Sequence, residues 1–253
     1  MLLAGVLLKM GGYGFIRLAL PTVPEAFSAW ALPIAALAVA SAIYGAAVAM
    51  AQQDLKRLVA FSSVNQMGYV MLGVAAAAVA LAGPDERAAA ATGAVYLLVA
   101  HGLVTGFLFF LVGMLSERTE TRDIGRMSGL WAATPLLGSA LAFAMFASLG
   151  LPALANFAAE VQILLGTLGI YWWAAVAMLL GILVTTAMFL WTLQRVLLGR
   201  LPERWSQLPP LRLAELGVMA SLVALIVLLG VAPGPLSRLI DAALRNGPLT
   251  VLP

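Results

Sequence analysis

The chain has 253 residues, of which 63% are hydrophobic and 10% charged, with a formal net charge of +3 at pH 7. A soluble domain carries roughly 25% charge and 45–50% apolar residues, so an ordinary soluble domain, a coiled coil and a disordered chain are all excluded. The absence of cysteine rules out disulfides, thiolate metal sites and iron–sulfur ligation in this chain, and a single histidine argues against a His-based metal or haem site.

The apolar runs are long and lack period-2 alternation. At ~20 residues per span they predict an all-α polytopic membrane protein with about seven transmembrane helices. These are expected at about 2–20, 27–52, 57–81, 90–115, 130–168, 172–195 and 212–232. Pro21 and Pro24 punctuate the first gap, and Gly83 to Arg87 the third. Residues 116–129 and 201–210 read as charged, solvated loops. A short tail helix at about 236–246 sets Leu236, Leu239, Ile240, Ala243 and Leu244 against Arg238, Asp241 and Arg245, an amphipathic pattern suited to the membrane surface. Gly11, Gly12 and Gly14 form no nucleotide fingerprint and read as sites of close helix packing.

The start is unusual. Met1 enters an apolar helix directly, and that helix holds Lys9 and Arg17, so it is not a signal peptide. The expectation is a later part of a longer protein, or a chain whose first half is separate. Lys56, Arg57, Arg118, Arg122, Arg126, Arg195, Arg200, Arg204 and Arg212 collect on one side of the expected topology, against Arg87, Arg238 and Arg245 on the other. The positive-inside rule then places the first side in the cytoplasm and the C-terminus outside. Trp172, Trp173 and Trp191 sit near helix ends, as interface anchors do.

The informative residues are those that lipid disfavours. A charged group at mid-bilayer costs ~2.5–3.5 kcal/mol on insertion scales and marks a functional site by default. Lys9, Gln66 and His101 fall near the middle of three spans, with Ser62, Ser63 and Asn65 one turn before Gln66, and Glu160 falls in the second half of the fifth run, at a similar depth. Together they outline a lateral polar axis near the midplane. Plainer readings stand beside this one: Lys9 can snorkel, His101 can be a packing residue, Glu160 can anchor a neighbouring subunit, and the Ser62, Ser63 and Asn65 cluster can be interhelical glue. The fifth run is too long for one straight span and contains Gly150-Leu151-Pro152 followed by Asn156, which predicts a helix broken near 151–156. Such a break is tolerated where it lines protein or a water-filled cavity, and broken midplane helices mark ion sites in transporters.

Five segments occur in a recognisable order: LAGVLLKMGGYG at 3–14, QDLKRLVAFSSV at 53–64, AHGL at 100–103, TRDI at 121–124, and Gly150-Leu151-Pro152 with Asn156-Phe157 and Glu160. The set resembles the antiporter-like M-subunit family of bacterial NADH–quinone oxidoreductase, respiratory complex I, with subunit 4 as mitochondrial counterpart. The match runs from residue 2 to about 195 and more loosely to the end. Mrp-type cation/proton antiporters share much of the pattern.

The resemblance implies fourteen helices with two inverted five-helix repeats, of which this chain supplies the eighth to the fourteenth. Residues 1–26 are then the last helix region before the repeat, 27–195 the second repeat with the broken helix fourth of five, and 196–253 a loop, the last transmembrane helix and the amphipathic tail. It further implies proton translocation with no redox chemistry in this chain, NAD, FMN, iron–sulfur clusters and quinone belonging to partner subunits. The expected setting is a bacterial inner membrane, beside other membrane-arm subunits. Lys9 matches the lysine linking the half-channels, His101 a histidine of the central hydrophilic axis, and Glu160 the glutamate of the outer proton site. The alternatives are an Mrp-type antiporter subunit and a structural remnant that does not pump. Gln66 stands where the family usually has histidine, so a relay there needs water; Ala153 stands where it tends to have glycine, which implies a stiffer break. The first repeat's glutamate–lysine pair has no counterpart in this sequence.

Overall fold

The structure, a computed structural model, describes residues 2–79 and 82–250. Helices dominate it; the described residues contain no named strand, only an isolated bridge between Asp54 and Asp123. The first helical run is continuous but mixed: a π-helical stretch Leu3–Leu7, α1 (Leu8–Gly14), a second π-helical stretch Phe15–Ala19, and α2 (Leu20–Thr22). A short α3 (Pro24–Ala29) leads into α4 (Ala31–Met50), followed by α5 (Leu55–Ala77) and α6 (Pro84–Thr119). A single-turn α7 (Leu130–Ala133) precedes α8 (Pro135–Ser148) and α9 (Ala155–Leu168). Then come α10 (Trp172–Leu197), α11 (Leu213–Val231) and α12 (Gly234–Arg245).

Five of these helices are long and apolar enough to cross a membrane: α4, α5, α6, α10 and α11. The first run and the broken pair α8/α9 occupy the places of the other two expected passes. Several ends move. Helix α4 starts at Ala31, since Pro24–Ala29 forms a separate short helix. Helix α5 begins at Leu55 because the Asp54 carboxylate accepts from the backbone N–H of Lys56 (2.8 Å) and Arg57 (3.1 Å), an N-cap. It ends at Ala77, short of the expected 81; residues 80 and 81 lie outside the described ones.

Helix α6 is 36 residues long and overruns the expected 90–115 at both ends. Pro84 opens it, where a missing N–H costs nothing. At the far end Arg118 was expected in a solvated loop. It is instead nearly buried, paired with Glu215 at 2.7 Å and donating to the carbonyls of Pro209 and Pro210. Partners distant in sequence thus carry the helix past its charged end. The following loop is also pinned: Leu55 N–H donates to Arg122 O (2.9 Å) and Ile124 N–H to Gln53 O (2.8 Å).

The tail helix docks on the protein. Its Ile240 and Leu244 are buried, Gln162 donates to Ser237 at 3.2 Å, and Arg245 bonds Asp85 at 3.1 Å. Of the three glycines expected to allow close packing, only Gly12 does so, against Leu98 and Val70; Gly11 and Gly14 face open space. The tryptophans at helix ends are partly or largely exposed, and the Arg195 guanidinium lies 4.6 Å from the Trp191 ring centre.

Candidate functional site: a buried polar cluster at a broken helix

The break follows from local chemistry. Helix α8 closes with the Gly150 N–H on Ala147 O and the Leu151 N–H on Phe146 O, with Gly150 in the left-handed region at φ 70°; this is a Schellman end. Pro152 then has no N–H to continue a helix and steers Leu151 away from helical geometry. The chain re-enters helix at Ala155. Helix α11 packs directly on this interruption: a Cβ on Gly230 would overlap the backbone of Ala153 and Leu154. The Tyr96 hydroxyl on α6 donates to Leu229 O at 2.6 Å and ties the same region down.

Lys9, Gln66, His101 and Glu160 are all buried in protein, at 6%, 2%, 0% and 5% exposure. Glu160 lies on α9, Gln66 on α5, and the Gln66 amide Nε2 donates to Glu160 Oε1 at 3.1 Å. The same nitrogen lies 3.5 Å from Ser148 O, at the C-terminal end of α8. Three helices thus meet at the Gln66 amide. His101 on α6 has Nε2 at 3.2 Å from Ser63 Oγ and 2.9 Å from Thr105 Oγ1. Each hydroxyl both donates and accepts, so either ring tautomer finds partners.

The serine and asparagine cluster divides. Ser62 bonds only its own helix, at Val59 O. Asn65 is glue: its Nδ2 donates to Ala42 O on α4 (2.7 Å) and to Tyr69 OH, while Thr185 of α10 donates to its Oδ1 (3.3 Å). Ser63 belongs with His101. It precedes Gln66 by three residues, so the two side chains are neighbours on one helix face, about 5–6 Å apart at Cβ.

Lys9 sits apart from that group. It lines a groove of about 520 Å³ between the first helical run and α6, among Gly5, Met10, Leu98 and Gly102. Gly102 is the residue after His101, so the groove brings Lys9 to the helix that carries His101. The carboxamide oxygen of Gln66, the hydroxyl of Ser148 and both amide atoms of Asn156 are buried without a protein hydrogen-bond partner. Asn156 is one turn before Glu160 on α9, so these atoms cluster at the break. Buried polar atoms of this kind are satisfied by ordered water. Thr105 and Ser148 escaped the sequence reading; the spacing of Thr105, four residues after His101, was the available signal. Ser148 offered none, because its place depends on how α8 ends. Among the described residues no cluster of three or more His, Asp or Glu could hold a metal ion.

Comparison with known proteins agrees with this architecture. The family described as "NADH:quinone oxidoreductase/Mrp antiporter, TM" matches residues 1–189. NADH-quinone oxidoreductase subunit M of Pseudomonas aeruginosa is 40% identical over 97% of this chain and 46% of the relative. Subunit M of Rhodobacter capsulatus is 35% identical over 96% of this chain and 46% of its own length. The chain therefore spans about half the length of the curated relatives it matches. Respiratory complex I from Thermus thermophilus with bound NADH superposes with a TM-score of 0.86 at 33% identity, over 96% of this chain and 49% of that one. The Mrp complex from Dietzia superposes at 0.76 with 20% identity over 88% of this chain and 49% of that one, a likeness of fold alone. With three quarters of its length matched by the family and relatives at these identities, the chain belongs to the NADH:quinone oxidoreductase/Mrp antiporter transmembrane family.

Proposed function

We propose that this chain is a proton-translocating part of an M-type membrane-arm subunit of an NADH–quinone oxidoreductase. In this reading residues 27–195 form the second five-helix repeat, and Lys9, His101 and Glu160 carry protons through a hydrated midplane axis. NAD, FMN, iron–sulfur clusters and quinone belong to partner subunits, among them neighbouring antiporter-like ones. The membrane is a bacterial inner membrane, with the loops at 53–57, 116–129 and 196–211 cytoplasmic and the C-terminus outside.

The observation that carries the proposal is the hydrogen bond from Gln66 to the buried Glu160 at the helix break. A carboxyl group there can take up or release a proton, and its hydrogen-bond partner cannot. Gln66 therefore holds Glu160 without competing for the proton. Towards α6, the hydroxyls of Ser63 and Thr105 give His101 groups that can pass a proton on. Between Ser63 and Gln66 the gap is that of neighbouring side chains on one helix face, which one water spans. Lys9 extends the axis across α6, and its charge would bias the proton at His101.

The test of the assembly is isolation of the complex from membranes through a tag on this chain. Flavin and iron–sulfur subunits should accompany it, with proton uptake driven by NADH oxidation in vesicles. A sodium-dependent exchange with none of those partners would favour the Mrp-type reading. Normal pumping in complexes carrying Lys9→Ala, His101→Ala and Glu160→Gln together would favour the structural one.

A further inference from the structure

The interruption between α8 and α9 holds two residues in the left-handed region, and they differ in kind. Gly150 and Ala153 both have φ 70°. Since Ala153 carries a Cβ there, this break accommodates a side chain at that φ. Backbone strain favours glycine at 150, but it would favour glycine equally at 153, where the chain carries alanine.

Their surroundings do differ. A Cβ on Gly150 would overlap the Glu160 carboxyl group, Oε2 foremost. The other carboxyl oxygen, Oε1, is held by Gln66 Nε2 at 3.1 Å. The N–H groups of Gly150 and Leu151 are spent on Ala147 O and Phe146 O, so the turn gives Glu160 room and not hydrogen bonds. The break is itself packed, with Gly230 of α11 pressed against Ala153 and Leu154. The atoms that a Cβ at 150 would meet are the end of the Glu160 side chain, the flexible part of this contact.

We propose that Gly150 is a positioning residue: its bare Cα leaves the space in which the Glu160 carboxyl group sits, and any side chain there swings that group off the Gln66 amide. The functional consequence rests on the proton-site reading of Glu160 given above; the steric pairing does not.

The experiment uses the whole complex in lipid vesicles, with pumping expressed per assembled complex and with assembly yield and thermal stability measured alongside. Gly150→Ala should lower pumping by up to about a hundredfold, the scale on which a reacting group displaced by an ångström is felt. Ala153→Gly should leave it unchanged. Glu160→Asp withdraws the carboxyl group by one methylene, so in that background Gly150→Ala should add a much smaller defect, no more than the backbone cost of a side chain at φ 70°. Glu160→Gln keeps the original length and should give no such relief: there Gly150→Ala still lowers stability. If Gly150→Ala reduces assembly, recovery with Glu160→Asp and not with Glu160→Gln carries the same meaning. The positioning role is overturned if Gly150→Ala is silent in all three readouts, or if its defect is equally deep beside aspartate and glutamate. Unchanged pumping in Glu160→Gln alone, with the steric relief intact, would instead sink the proton-site reading and leave the pairing standing.

Discussion

Helices α5 and α11 are both long and apolar enough to cross a membrane, yet they are opposites. The most apolar stretch of α5 has a mean hydropathy of 1.3 and is 72% buried in the protein; that of α11 has 2.4 and is 11% buried. The less apolar helix is the interior one. In water the ranking runs the other way. In lipid the outside is already apolar, so a polar side chain finds partners only inside the bundle. Helix α5 carries Ser63, Asn65 and Gln66 to His101, α4 and Glu160, whereas α11 turns Leu213, Leu225, Leu228 and Val231 outward and buries only Met219 and Ile226 among its large side chains. Small residues follow the same division except at Gly230, where α11 packs against the helix break. A Cβ on Gly68 of α5 would come within 2.7 Å of Ala38 O on α4, while Gly217 of α11 has nothing within 4 Å.

The strongest way to break this contrast is to add bulk. Gly68→Leu should wedge α4 from α5, costing about 3 kcal/mol or more, and should sharply reduce the assembled complex recovered from membranes. Gly217→Leu should leave recovery near the original level. Equal losses from both would mean that α11 is as tightly packed as α5.

A smaller effect is expected from Asn65→Leu. It removes the donor to Ala42 O and the acceptor for Thr185, so thermal unfolding of the complex should report a loss of about 1–2 kcal/mol, the range for interhelical polar contacts in membranes. Leu228→Ala on the outward face of α11 should sharpen the contrast from the other side, with a change within about 0.5 kcal/mol in the same measurement. A larger loss would show that this face meets another chain.

The same contrast explains what could be read from the residues and what could not. Apolar runs and the ionisable residues inside them placed the passes and the buried groups, because lipid imposes both length and polarity on a span. Pro152 announced the break, since a missing N–H is a local property. The true length of α6 was hidden: Arg118 looks like a loop residue until Glu215 and the Pro209 and Pro210 carbonyls come to it from far along the chain. The π-helical stretches flanking α1 left no mark in composition. Nor could spacing tell Gly12, which is packed, from Gly11 and Gly14, which are not, because all three lie within one turn. The roles proposed for Lys9, His101 and Glu160 rest on the family pattern, whereas the direct bond between Gln66 and Glu160 emerged only when α5 and α9 were seen to meet.

The most direct test of the proton axis is pumping per assembled complex in vesicles carrying Glu160→Gln. The amide keeps the size of the side chain and removes its titratable proton, so assembly should persist while pumping falls by at least about tenfold, as when a proton-transfer group is lost. Normal assembly with undiminished pumping would contradict a proton-carrying role for the carboxyl group at the broken helix.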